Sequence, residues 1–433
     1  MRKLFLSLGV LFLLVLSSSS FALLRMELTQ GVAGAVPLAM VPFLSSGVPS
    51  PEPVSEIINN DLAHSGRFKI YAMDSYTPDK PDSSWLGRKV AVDNVLMGKV
   101  ESVGGDSYQV SFQLMDTPRG KTVRPIVILD QKFTVSGKQL RHLAHHISDL
   151  VFEKIIGVRG IFSTRLVYVV VKRGGNARAQ YTLEVADQDG YNPRMLLSST
   201  DPIMSPAWSP DGKRIAYVSF ENRKASIYTQ DLATGNRELV SQVPGINGAP
   251  AWSPDGKKLA LVLSKGESPN IYILDLASRH LTPITHDWYI NTEPAWFPNG
   301  RALLFTSNRS GGPQIYQYNL GSGEVTRLTY DGDYNARGGL APDGKHLVTI
   351  HRDKGAYSIA IFDLATGSNR MLTASGTDNG SPSVAPNGGM VLFDTLYNGR
   401  SVLGIVSTDG RVQQRLPARD GEAQDAAWSP FMS

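Results

Sequence analysis

Apolar and polar positions along this chain obey two different rules, and the change comes about a third of the way in. From Pro206 onward, short apolar runs bounded by Pro, Asp, Asn and Gly recur: PAWSPDGKRIAYVS starts at Pro206, PAWSPDGKKLALVL at Pro250 and PAWFPNGRALLFTS at Pro294, a spacing of 44 residues each time. The same step reaches GGLAPDGKHLVTI at Gly338, PSVAPNGGMVLFD at Pro382 and AAWSPFMS at Ala426. In each unit Pro210, Pro254, Pro298, Pro342 or Pro386 presets φ for a type I turn, and Gly212, Gly256, Gly300, Gly344 or Gly388 supplies the left-handed residue. The spacing therefore predicts a hairpin between a first strand carrying Trp208, Trp252 or Trp296 and an apolar second strand such as Ile215 to Val218. Third strands follow at Ile227, Ile271 and Ile315, and fourth strands at Glu238 and Arg327. Four strands per 44 residues is the WD40-like blade of a β-propeller.

The two ends of the repeat region set the blade count. Gly160 to Ser205 holds the later part of a blade without its Trp-Ser-Pro-Asp-Gly strand, while Ala427-Trp428-Ser429-Pro430 is that strand with no blade after it. Joined, they complete a sixth blade and leave no open sheet edge. The fold class expected is mainly β: a six-bladed propeller over residues 160–433, closed by its C-terminal strand.

Ahead of the repeats the pattern is mixed. Strands are expected near Ala35 to Phe43, Phe68 to Tyr71, within Val90 to Val103 and over Tyr108 to Leu114. Pro53 to Ser65 reads as a helix with Val54, Ile57, Ile58 and Leu62 on one face, and Gly137 to Ile156 as a second one ending at Gly157. Residues 23–157 are thus expected to form a small α/β domain, with a first segment of no evident core role that could move. Residues 1–22 read as a secretory signal, since Arg2 and Lys3 precede an apolar run from Leu4 to Leu16 and then Ser20 and Ala22. That run has 13 residues, where a membrane span needs about 20. The expected product is a soluble periplasmic chain from Leu23, with no direct membrane insertion.

Composition narrows the chemistry. Zero cysteines exclude disulfides, thiolate catalysis and thiolate metal sites, and loss of Arg2 and Lys3 lowers the formal net charge from +4 to +2, so no nucleic-acid footprint is expected. No Gly-x-Ser-x-Gly elbow exists; the glycines four apart, Gly376 and Gly380, flank Asp378. His142, His145 and His146 lack a His-Glu-x-x-His pattern and read as a solvated or capping helix face. Asp331 to Asn335 imitates the start of a calcium loop, but Ala336 stands in place of the needed glycine and Pro342 in place of the closing Glu. The expectation is a monomeric chain with no catalytic residues, no cofactor and no dedicated metal. What remains are the polar loops before each first strand: Ile246 to Ala249, Asn291 to Glu293, Asn335 to Arg337, Asn379 to Ser381, and Gln424 with Asp425. Equivalent loops of a propeller gather around its central opening, which suits a protruding element of a partner. A propeller that binds or processes a cell-wall glycan is the alternative.

The order of the non-repeat segments carries a resemblance. Val41-Pro-Phe, Phe152-Glu-Lys-Ile with Gly157-Val-Arg-Gly160, Asp187 to Asn192, Asn247-Gly-Ala-Pro, Asn291-Thr-Glu-Pro-Ala-Trp and Val406 to Arg411 are similar to the TolB family, periplasmic propeller proteins of the Tol-Pal system. The resemblance implies a non-enzymatic hub for outer-membrane integrity and cell division, which colicins exploit. It implies that the lipoprotein Pal binds the propeller mouth at Asn247, Gly248, Ala249, Asn291, Thr292 and Glu293, with Arg337 and with Ile246 where the family commonly has histidine. It further implies that TolA binds the N-terminal segment Leu23, Leu24, Arg25, Met26, Glu27, Leu28, Thr29 and Gln30.

Overall fold

A computed structural model of the chain describes residues 26–73, 92–116, 126–174, 178–353, 355–374, 378–418 and 420–432. The expected signal, residues Leu23 to Arg25 and Gly376 lie outside the described residues.

The N-terminal domain is built from β1 (Glu27–Gln30), β2 (Val36–Met40), β3 (Leu44–Ser46), α1 (Val54–His64), β4 (Phe68–Ala72), β5 (Asn94–Gly104), β6 (Ser107–Asp116), β7 (Ile126–Ser136) and α2 (Leu140–Ile156). Its sheet runs β4-β2-β5-β6-β7, with β2 parallel to both neighbours and β5, β6 and β7 antiparallel. Both helices lay their apolar stripe on one face of it, so Ile58, Leu62, Leu140, Ile147 and Val151 share one buried core with Leu38, Leu96, Val110, Phe112 and Leu114. Gly157 ends α2 at φ 83, donating its N–H to the carbonyl of Glu153, because only a residue without Cβ takes that position freely. Asp149 then accepts the N–H groups of Phe162 and Ser163 at 2.7 and 3.2 Å, which fixes the connector into the propeller.

The propeller has six blades. Blades 2 to 6 are sheets in sequence order whose innermost strands are Ile203–Trp208, Asn247–Trp252, Asn291–Trp296, Tyr334–Leu340 and Asn379–Val384. Blade 1 draws three strands from Arg165–Lys172, Gln180–Asp187 and Arg194–Ser199, and its innermost strand is Glu422–Trp428, paired antiparallel with Arg165–Lys172. In every hairpin the glycine N–H closes the turn onto the residue three before it, as Gly212 does onto Ser209 at 2.9 Å, with Gly212 at φ 68. The tryptophans stitch blades together. Trp208, Trp252 and Trp296 each donate from Nε1 to a backbone carbonyl of the preceding blade's inner strand, at Ala427 (3.1 Å), Ala207 (3.2 Å) and Ala251 (3.0 Å). Trp428 donates to Thr164 Oγ1 at 2.8 Å and is 5% exposed.

The first segment, expected to be able to move, is docked in this structure: Glu27–Gln30 pairs antiparallel with Gln413–Arg415 and forms a fifth strand on blade 6, while Met26 is buried in the closure core. The gain is main-chain hydrogen bonding, since all four residues of β1 expose their side chains. The domains are further tied by Arg67 to Asp409 (2.9 Å), by Gln414 Nε2 donating to the carbonyl of His64 (2.5 Å) and by Asn387 Nδ2 donating to the carbonyl of Arg159 (2.8 Å).

Closure by Glu422–Trp428 makes one residue decisive. Trp428→Ala removes the indole and its hydrogen bond from the joint and is expected to cost about 3–5 kcal/mol, read as a lower denaturation midpoint in urea. An unchanged midpoint would mean that the last strand does not carry the ring.

Candidate functional site

Each innermost strand is broken by the same irregularity. Register slips between Met204 and Ala207, Gly248 and Ala251, Thr292 and Ala295, Ala336 and Gly339, Gly380 and Ser383, and Gln424 and Ala427. At those bulges Ser205, Ala249, Glu293, Arg337, Ser381 and Asp425 take φ of 52°, 43°, 53°, 54°, 46° and 52°. None is glycine, so each pays about 1–2 kcal/mol of backbone strain, retained because the surrounding sheet enforces it. The bulges turn these six residues onto the propeller axis, where with Pro206, Pro250, Pro294 and Pro382 they line a narrow channel of about 190 Å³.

Arg337 governs the electrostatics of that ring. Its guanidinium reaches Asp425 Oδ1 at 2.9 Å from Nη2 and Glu293 Oε1 at 3.5 Å from Nε, and it contacts the hydroxyl of Ser381. Its backbone N–H and the hydroxyl of Thr306 both donate to Glu293 Oε2 at 2.9 Å. Burial opposes its charge, but Asp425, Glu293 and Asp394 around it keep it firmly protonated. Asp394 accepts the N–H of Asp425 at 2.9 Å; burial, and then repulsion from Asp425, push its carboxyl up to about 7.

Above the channel a cavity of about 980 Å³ opens between blades 2 and 3 and reaches the edge of blade 4. Ile246, Asn247, Gly248, Ala249, Thr292, Glu293 and Arg337 all border it. The structure thus brings together every expected mouth residue except Asn291. The two asparagines nevertheless turn their side chains inward. Asn247 is 1% exposed, donating to the carbonyl of Val243 (2.7 Å) and accepting from Ser241 (2.7 Å), and Asn291 is 0% exposed, donating to Asp287 (2.6 Å) and Asn270 (2.9 Å) and accepting from Arg309 (3.0 Å). In this structure they brace their own loops, with their amides turned away from the opening. Glu293 is likewise committed to Arg337 and Thr306. Residues not singled out from the sequence complete the walls: Phe220, Arg223 and Lys224 from blade 2, and Ile290. Ile290 had a signal, because it stands one period after Ile246; the two are 48% and 46% exposed. Trp288, in the same loop, is 76% exposed and stacks on Tyr289.

The histidines of α2 also depart from expectation. His145 is buried rather than solvated, its Nδ1 lying 2.8 Å from Asp61 Oδ2, and although burial disfavours its charge, attraction to Asp61 and the hydrogen bond push it up to about 9. His142 is pushed down by burial and by Arg165. Asp61, His145 and Asp189 bring their ligand atoms within 4.8 Å, but Arg141 already places a guanidinium there, paired with Asp187 at 3.2 Å and with Asp189. The cluster joins both helices to the Asp187–Tyr191 turn of blade 1, which is the work of a domain clamp.

Comparison with known proteins now decides the family. Residues 152–432 match the TolB beta propeller domain, and residues 24–123 match the TolB amino-terminal domain. The chain belongs to the TolB family. The structure is similar to a crystal structure of TolB from Acinetobacter baumannii, with a TM-score of 0.85 and 38% identity, covering 94% of this chain and 100% of that one. Over 245 residues it is 49% identical to the Tol-Pal system protein TolB of Coxiella burnetii, 55% of either chain, and over 248 residues 46% identical to that of Nitrosococcus oceani, 56% of either chain. The matched stretch spans about half the length of these two relatives. Among the described residues, no helix is long and apolar enough to cross a membrane.

The channel acid yields a pH-dependent outcome. An aspartate whose folded pKa lies near 7, above its unfolded value near 4, binds more protons in the folded state between those values, so stability falls as pH rises through that window. Asp394→Asn keeps the acceptor for Asp425 and removes the titration. It is expected to unfold at a higher temperature than the wild type at pH 8 and to lose that advantage below pH 4; an equal difference at both pH values would contradict the raised pKa.

Proposed function

We propose that this chain is a non-enzymatic periplasmic hub of the Tol-Pal system, exported by a signal over residues 1–22, that receives Pal in the propeller mouth. The observation that carries the reading is the 980 Å³ cavity, which collects Ile246, Gly248, Ala249 and Thr292 from successive blades and leaves Ile246 and Ile290 nearly half exposed at its rim. An exposed apolar patch above a rigid, strained floor suits a protein partner's protruding element. Its lining holds one aromatic, Phe220, among mainly aliphatic side chains, which favours an apolar protein element over a sugar chain. The names of the relatives from Coxiella burnetii and Nitrosococcus oceani supply the system; a role in outer-membrane integrity and cell division is part of the proposal.

TolA is the second partner in this reading, engaging the N-terminal segment from Leu23 to Gln30. Four residues of that segment already occupy a sheet edge on blade 6, so TolA binding through them requires β1 to leave Gln413–Arg415. Strand exchange of this kind uses main-chain hydrogen bonds and is compatible with the exposed side chains of β1. The mouth is tested by Ile246→Asp, which places a charge on the apolar rim without touching the core. Affinity for the lipid-free Pal domain is expected to fall about tenfold, roughly 1.4 kcal/mol, with the thermal midpoint unchanged. Unaltered affinity would place the Pal site elsewhere.

A further inference from the structure

Arg223 and Lys224 sit at the tip of the hairpin that joins Arg214–Ser219 to Ser226–Asp231, and both line the mouth cavity. Arg223 holds φ 58, and its N–H closes the turn onto the carbonyl of Phe220 at 2.7 Å, so the tip is a defined turn. Both residues are exposed, and neither has a carboxylate within ion-pair distance among the described residues. The acids nearby are already committed: Glu221 pairs with Arg237 at 2.9 Å, and Glu293 pairs with Arg337 at 3.5 Å. The same cavity is lined by Ile246, Ile290, Phe220 and Val262. The cavity therefore combines an apolar lining with two exposed cations that have no ion-pair partner among the described residues.

We propose that the mouth selects an acidic, apolar element of its protein partner, whose apolar side chains fill the cavity against Phe220, Ile246 and Ile290 while one or more carboxylates meet Arg223 and Lys224. The inference rests on the mouth being the Pal site and adds what the partner must present there. Exposed charges act chiefly on encounter rate and salt dependence, whereas the apolar lining governs how long the complex lasts. This division separates the two contributions in one experiment.

The test measures association of the lipid-free Pal domain with the full mature chain, as wild type and as the double variant Arg223→Glu and Lys224→Glu, at low and at physiological salt. The tip is exposed, so the thermal midpoint of the variant is expected to match the wild type. At low salt the variant is expected to associate at least tenfold more slowly, and its rate is expected to depend on salt far less than the wild type's or in the opposite sense. The neutral pair Arg223→Gln and Lys224→Gln is expected to fall between them. If wild type binds Pal and the double variant matches it in rate and salt dependence, the acidic-element assignment fails while the mouth reading stands. If the wild type binds no Pal at all, the mouth reading fails and the assignment with it.

Discussion

The pairing of Glu422–Trp428 with Arg165–Lys172 is the constraint on which the rest depends. A ring of sheets is only as strong as its joint, and without this pairing blade 1 ends in an open edge. Here the joint ties Glu422–Trp428 to the first propeller strand, so the first blade is complete only when residues more than 250 apart in sequence have met. Trp428 doubles the seal by packing with Leu166, Tyr168 and Ala186 and by its bond to Thr164. The chain has no cysteine, so the ring is closed by strand pairing and packing without any disulfide.

A closed ring also explains how six residues are held in left-handed conformations that L-amino acids avoid. The outer strands of each blade fix the inner strand at both ends, and the bulge absorbs the mismatch where the inner strands converge. The strain is spent on placement: side chains of opposite charge meet across the axis, and the loops just above them gain a rigid floor. Loops on such a floor bind with little loss of conformational freedom. The N-terminal domain is locked to the ring on two sides, through Arg141 and His145 near blade 1 and through β1, Arg67 and His64 on blade 6.

Much of this was legible along the chain, for physical reasons. The Pro-Asp-Gly turns and the 44-residue step are local chemistry repeated, so the blades and their closure could be read directly. Features made by distant residues could not. Glu27–Gln30 joins blade 6 mainly through backbone bonds, with Thr29 Oγ1 donating to the carbonyl of Gln413 at 3.1 Å, and shows no apolar alternation. Ile126–Ser136 is an edge strand with no fully buried side chain and was missed for the same lack of pattern. His145 finds Asp61 on a different helix, which no spacing within α2 could show. Asn247 and Asn291 open innermost strands as the repeat implies, but whether an amide faces the opening or its own loop is settled by packing.

In this reading the rigid ring presents the mouth to Pal, which lands on the loops of blades 2 to 4. Hydrogen exchange of the mature chain with and without saturating lipid-free Pal tests it most directly. The account predicts new protection confined to the segments around residues 220–225, 242–249 and 286–293, with the outer strands of the blades unchanged. Protection confined to the N-terminal domain, or to the hairpin turns at Gly212, Gly256 and Gly300, would contradict it.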